Sequence, residues 1–358
     1  MRASAILDGP EAMTPAWLTA ALRASGALTD AVVTAVTWQP LSAQGWTTRM
    51  ARLAVTYDAP SAGLPATLVA KSAAQDAGTR ASFGRFYARE VAFYRQVAPE
   101  VPLRVPRCYY AAYEATTHTH VLLLEDLAPV LADDLLQGVS VDVAAAYTRG
   151  MAALHAHWWE HDRLSGLTRS FPAHGGRFAE GYAGALPCGL VVMRPWLTPT
   201  TGTLATALQR HLQARWDDQY AAPRTLVHWD AQAANFLRPA RAGAVGAVVD
   251  WQNCVVGRGI WDIARFAVMS LPPAARRAAQ ADLVALYAET LGGHGVQGYS
   301  FPQCFAHYQA VFPLLFAQQL RFFAGVQCWN AARCAWVEAI TPRVVAALHE
   351  AAEAGLVG

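Results

Sequence analysis

A spaced set of polar residues inside an apolar stretch constrains this chain most. Leu226-Val227-His228-Trp229-Asp230 is followed by Asn235, which spells His-x-Asp-x4-Asn. Fifteen residues beyond Asn235, the apolar run Ala247-Val248-Val249 ends in Asp250-Trp251. That run reads as a buried strand with a carboxylate at its tip. One carboxylate can accept or orient the proton of an attacking hydroxyl. An amide oxygen five residues on, with a second carboxylate at a strand end, suits Mg²⁺ held on phosphates. The alternative is structural, with Asp230 and Asn235 as loop formers and Asp250 as a turn residue.

Upstream residues fall in the order such chemistry requires. Of 28 basic residues one is a lysine, Lys71, at the end of the apolar strand Leu68-Val69-Ala70. A chain this rich in arginine keeps a lysine either by chance or where a compact ammonium fits and a planar guanidinium does not. Nineteen residues later Glu90 lies mid-helix in Tyr87-Ala88-Arg89-Glu90-Val91. A strand lysine paired to a helix carboxylate is one way to hold an ammonium against nucleotide phosphates, and a solvated helix face is the other reading of Glu90. Before that strand, Ser42-Ala43-Gln44-Gly45-Trp46-Thr47-Thr48 joins two strands and could lay backbone N–H groups over phosphates.

The remaining periodicity divides the chain. A short helix capped by Thr14 and ended by Gly26 precedes strands at 31–37, 49–57 and 66–71. An amphipathic helix at 82–97 and strands at 107–113 and 120–124 follow. Past Pro129 the pattern predicts long helices at 141–161, 203–222, 274–291 and 301–337, the last broken or kinked at Pro313. A strand–loop–strand stretch covers 225–256. The expected organisation is a nucleotide-binding lobe over 1–124, a hinge at 125–130 and a helical lobe with the catalytic loop over 131–358.

With 358 residues, 54% of them hydrophobic, and a mean hydropathy of +0.18, the chain has ample apolar surface for a core, which excludes a disordered chain. A net charge of +2 without runs of one sign argues against nucleic-acid or anionic-membrane partners. Six cysteines without a Cys-x-x-Cys pair are too dilute for a disulfide framework. No signal peptide or spanning segment is expected, nor an obligatory protein partner, and the expected setting is cytoplasmic.

These residues resemble the aminoglycoside phosphotransferase and choline kinase superfamily, and within it the ecdysteroid-kinase-like branch of small-molecule kinases. The resemblance runs from about Trp38 to about Leu271. It is carried by 226–237, by 248–252, by Gly257-Arg258-Gly259-Ile260-Trp261-Asp262-Ile263-Ala264 and by the hinge-like Leu122-Leu123-Leu124-Glu125-Asp126-Leu127. It implies an α+β, two-lobed protein-kinase-like fold, with a small β-rich N-lobe and a larger, mainly helical C-lobe. It implies ATP and Mg²⁺ as cofactors and a small-molecule hydroxyl as acceptor. Asp230 would be the catalytic base, with His228 bracing its loop. Asn235 and Asp250 would hold Mg²⁺, Lys71 the α- and β-phosphates, and Glu90 would orient Lys71. Gly45, Thr47 and Thr48 would cover the phosphates, and the main chain of Glu125 and Leu127 would meet adenine.

Asp262 is either the family's acid or a helix N-cap. The chain departs from the family at Trp229, where glycine is usual, and in its glycine-poor loop at Gly45. Trp229 either lines the acceptor pocket or packs under the loop. With ten acids against twelve arginines from Thr203 to Gly358, a neutral or moderately apolar alcohol, such as an antibiotic or other natural product, is expected as acceptor. Two other readings stay open. His157-Trp158-Trp159-Glu160-His161 spells H-x-x-E-H, which on one helix face would make a zinc-dependent hydrolase. A catalytically silent nucleotide-binding homologue is the other. Gly293-His294-Gly295-Val296-Gln297-Gly298 follows a helix and reads as a loop, and Phe322, Phe323, Trp329 and Trp336 read as core or as an acceptor-cleft wall.

Overall fold

The structure is a computed structural model and describes residues 6–41, 47–59, 64–131, 136–174, 177–240, 246–325 and 331–357, with 331–333 as backbone only. It divides into two compact units, one of residues 1–130 with 239–253 and one of residues 131–238 with 254–358. The sequence expectation had placed 239–253 in the helical lobe. These residues belong to the first unit because Trp251 stacks on Phe93 at 4.0 Å and the Val248 N–H donates to the Arg104 carbonyl.

The first unit opens with α1 (Pro15–Ala24), where the Thr14 hydroxyl accepts the Trp17 N–H and Gly26 turns the chain at φ +71°. Its sheet is built from β1 (Val33–Pro40), β2 (Thr48–Tyr57) and β3 (Thr67–Ala73), then β4 (Cys108–Glu114) and β5 (Thr119–Glu125) after helix α2 (Ala77–Gln96). The strand order is β1-β2-β3-β5-β4, all antiparallel, with Lys71 in register between Met50 and Leu122. Alternation along the strands sends Leu53, Leu68, Ala70, Val121 and Leu123 into one core with Leu18 and Leu22 of α1. α2 starts five residues earlier than periodicity suggests, because Asp76 accepts the Thr79 N–H and caps it there. The short β6 (Val130–Leu131) leads out of this unit.

The second unit is mainly helical. It contains α3 (Val141–His157), α4 (Leu164–Leu167), α5 (Phe178–Met193) and α6 (Pro199–Arg215). The stretch after α6 holds β7 (Thr225–Val227), β8 (Phe236–Pro239), β9 (Ala247–Val248) and β10 (Val255–Gly257), of which β9 belongs to the first unit. Then come α7 (Ile260–Ser270), α8 (Pro273–Gly293), α9 (Phe301–Gly325) and α10 (Ala331–Glu353). Sequence periodicity missed α5, whose Gly181, Gly184, Pro187 and Gly189 read as breakers. Gly189 is there for packing: a Cβ would stand 2.5 Å from the Leu320 side chain of α9.

The stretch expected over 301–337, broken or kinked at Pro313, holds two helices. Pro313 lies inside α9, which continues to Gly325, and a separate α10 follows. No helix among the described residues is long and apolar enough to cross a membrane.

Candidate active site

In the first unit three charged side chains meet. Lys71 Nζ lies 2.8 Å from the Glu90 carboxylate and 2.6 Å from Asp250 Oδ1. β3 delivers the lysine, α2 the glutamate, and the backbone past β9 the aspartate. Glu90 is therefore buried against the sheet and is not a solvated face. Burial disfavours the charge on Lys71, but the Asp250 and Glu90 carboxylates outweigh it and hold its pKa above the ordinary value. Burial pushes the Glu90 carboxyl up, against the pull of Lys71. Asp250 sits at φ +66°, a left-handed conformation that costs a non-glycine residue about 1–2 kcal/mol, and strain of this kind clusters at functional sites.

The other calls in this unit divide. Gly45 lies outside the described residues. The Thr47 carbonyl accepts the Tyr87 hydroxyl of α2, and Thr48 is the buried first residue of β2, paired with Ala73. Glu125 ends β5, and its N–H donates to the Arg107 carbonyl at 2.8 Å. Its side chain accepts Arg104 Nη2 at 2.5 Å and the Arg107 N–H at 3.0 Å. Next to it Asp126 accepts two hydrogen bonds from Arg52 of β2, which pins the segment leading into Leu127. His120 lies in β5 between Thr119 and Val121. It is fully buried and stacks on Tyr87 at 4.3 Å, and burial with the nearby Lys71 charge pushes its pKa down to about 3.

In the second unit, the loop after β7 carries His228, Trp229, Asp230 and Asn235. α7 organises it. Every residue of α7 is buried, and Asp262 Oδ2 accepts the His228 N–H at 2.7 Å while Oδ1 accepts the Trp229 N–H at 2.8 Å. Asp262 is thus a loop anchor rather than an N-cap, the cap position being Gly259. His155 of α3 stands behind it, with Nε2 3.3 Å from Asp262 Oδ2 and Nδ1 3.0 Å from the Tyr287 hydroxyl. Trp261 Nε1 donates to the Trp229 carbonyl and Ser270 Oγ accepts the Ala233 N–H. Asn235 Nδ2 donates to the Asp230 carbonyl at 2.9 Å, which leaves its amide oxygen as the free end. His228 is fully buried under the loop.

Trp229 adopts φ +74°. Glycine reaches that conformation without strain, and a tryptophan does not. In this chain the indole is buried and stacks on Trp261 at 4.0 Å and 7° and on Tyr220 at 5.5 Å and 12°. It packs under the loop. Sequence reasoning missed Arg265, whose Nη2 donates to Asp230 Oδ1 at 2.5 Å, and Gln318, which accepts from its Nη1 at 2.6 Å. Arg265 follows Asp262 by three residues, and that i, i+3 spacing is the signal that could have found it.

The zinc reading does not survive. α3 ends at His157, so the two histidines of the H-x-x-E-H run share no helix face. Glu160 sits at φ +45° and accepts the Arg224 N–H, and His161 Nδ1 accepts the Arg163 N–H. Among the described residues no cluster of three or more His, Cys, Asp and Glu could hold a metal ion. An Mg²⁺ ion carried by substrate phosphates asks less, because it keeps waters and phosphate oxygens and takes one or two protein oxygens. Asp250 in the first unit and Asn235 in the second each carry a hard oxygen of the kind Mg²⁺ takes.

Residues 75–299 match the family model described as the phosphotransferase enzyme family. Three solved structures are similar at low identity. A provisionally assigned aminoglycoside phosphotransferase from Ralstonia eutropha JMP134 shares 16% identity at a TM-score of 0.54, covering 89% of this chain and 93% of its own. An aminoglycoside 2′-phosphotransferase-IIIa variant, solved as its GDP complex, shares 11% at 0.53, covering 90% and 93%. Choline kinase from Cryptosporidium parvum Iowa II shares 10% at 0.50, covering 96% and 94%. These likenesses bear out the α+β, two-lobed kinase-like fold. No curated protein matches the chain.

Proposed function

The chain belongs to the phosphotransferase enzyme family, and from that premise we propose that it transfers the γ-phosphoryl group of ATP to the hydroxyl of a neutral or moderately apolar small molecule. The observation that carries this reading is the buried Lys71, paired at once to Glu90 and Asp250. A buried strand lysine paired to a helix carboxylate is one way to position an ammonium against nucleotide phosphates.

Asp230 receives the acceptor's hydroxyl proton. The acceptor oxygen bonds to the γ-phosphorus, and the bond to the bridging oxygen breaks with its electron pair passing to ADP. Lys71 offsets charge on the α- and β-phosphates, and Glu90 keeps the ammonium in place. Asp250 and Asn235 would hold Mg²⁺, which when bound spreads the charge of the transferring group. The main chain of Glu125 and Leu127 receives adenine, and the segment of Gly45, Thr47 and Thr48 covers the phosphates. His228 braces the loop that carries Asp230.

The acceptor class follows from charge. A polycationic acceptor needs spare carboxylates, and Asp230 is already ion-paired to Arg265 while Glu350 is engaged by Arg276. A neutral alcohol, whether antibiotic or other natural product, meets no such conflict.

Thermal unfolding with Mg²⁺–ATP, Mg²⁺–GTP and EDTA tests this directly. A ligand at roughly 100 times its Kd adds about 2.7 kcal/mol to the folded state. Stabilisation by Mg²⁺–ATP that EDTA abolishes is the expected result. No shift with either nucleotide would contradict the reading, and a shift without turnover on any alcohol would favour a silent homologue.

A further inference from the structure

α7 carries Asp262 and Arg265 three residues apart, both buried, and residues at that spacing share a helix face. Each grips the same loop with opposite charge. Asp262 takes the backbone amides of His228 and Trp229, and Arg265 takes the Asp230 carboxylate itself. Its Nη2 donates to Asp230 Oδ1 and its Nη1 to Gln318 Oε1 of α9. The guanidinium is a planar fork, so engaging both partners fixes its orientation, which a lysine could not reproduce. Gln232 Nε2 also approaches Oδ1, at 3.4 Å, while among the described residues Oδ2 meets only a long 3.5 Å approach from Asn235 Nδ2. The Arg265 side chain is 6% exposed and that of Asp230 20%, so the carboxylate is held from its buried side and remains reachable.

We propose that Arg265 is a positioning residue for phosphoryl transfer: it occupies Oδ1 of Asp230, leaves Oδ2 to take the acceptor's hydroxyl proton, and through Gln318 ties that setting to α9. The inference rests on Asp230 being the base. A carboxylate free to rotate about its side-chain bonds spends less time in line with the hydroxyl, and misplacement by about 1 Å can cost on the order of 100-fold.

The test measures ADP release from Mg²⁺–ATP, with water, glycerol and benzyl alcohol offered as acceptors, in wild type, R265M, R265K, Q318A, D230N and the double variant R265M/D230N. We expect kcat to fall on the order of 30-fold or more in R265M, with KM for ATP within about twofold of wild type, part of the loss recovered in R265K, and a smaller loss in Q318A. The double variant should be no slower than D230N alone, because the two residues act as one unit. An R265M enzyme with a lowered melting temperature but wild-type kcat per folded molecule overturns the proposal. So does a double variant slower than D230N by the full R265M factor. If R265M does not fold, wild-type kcat in both R265K and Q318A overturns it instead. D230N turning over like wild type refutes the role of Asp230 itself, an outcome read without any Arg265 variant.

Discussion

Replacing Trp229 by glycine and by alanine separates two forces that the structure sets against each other. The indole is buried between Trp261 and Tyr220, and removing a buried tryptophan side chain costs about 3–5 kcal/mol. Its backbone, however, sits at φ +74°, which costs an L-residue about 1–2 kcal/mol and glycine almost nothing. Trp229→Ala loses the stacking and keeps the strain. Trp229→Gly loses the stacking and relieves the strain, less about 0.5–1 kcal/mol for the greater freedom of glycine in the unfolded chain. Trp229→Gly is therefore expected to be the more stable variant by about 0.5–1 kcal/mol, with both below wild type. Urea denaturation followed by circular dichroism measures the difference. Because Asp262 and Trp261 hold the loop through backbone groups, both variants should keep Mg²⁺–ATP turnover per folded molecule. An alanine variant as stable as the glycine one, or more so, would refute the reasoning.

Other outcomes follow from the same contacts. His120 is neutral in the folded chain, its pKa pushed down to about 3 by burial, so its contribution is complete above pH 6.5 and is lost as pH falls. Between pH 6.5 and pH 5, wild type should lose about 1.6 kcal/mol relative to H120F, and parallel stability–pH curves would contradict this. Lys71→Arg keeps the charge but places a wider planar group between Glu90 and Asp250, so turnover should fall at least about tenfold, an expectation that a wild-type rate would refute. Asp262→Asn turns one acceptor toward a backbone N–H into a donor and should destabilise the chain by about 1.5–3 kcal/mol in chemical denaturation.

The sequence made the fold class legible because strands and helices are segregated along the chain, and most boundaries fell within a few residues. The exceptions have physical causes. α5 is stitched from glycine and proline where α9 packs closely, so its periodicity is hidden. α3 ended early because its last turn gives way to Glu160 at positive φ. Residues 239–253 fold with the first unit through Asp250 and Trp251, a long-range placement that no local pattern encodes. Lys71, Glu90 and Asp250 were legible because charges inside apolar runs stand out. Asp262 was legible as a residue but not in its partners. Arg265 carried only its i, i+3 spacing from Asp262 as a signal, and His155 none, since a histidine on a helix gives no sign of what it faces until the loop opposite is folded.

The most direct measurement of the central claim follows ³²P from γ-labelled ATP into a panel of neutral alcohols, with wild type and D230N side by side. Wild type should transfer label to at least one alcohol in a reaction that EDTA stops. D230N should transfer label at least about 100-fold more slowly while still gaining stability from Mg²⁺–ATP. Undiminished transfer by D230N would contradict the account of this site.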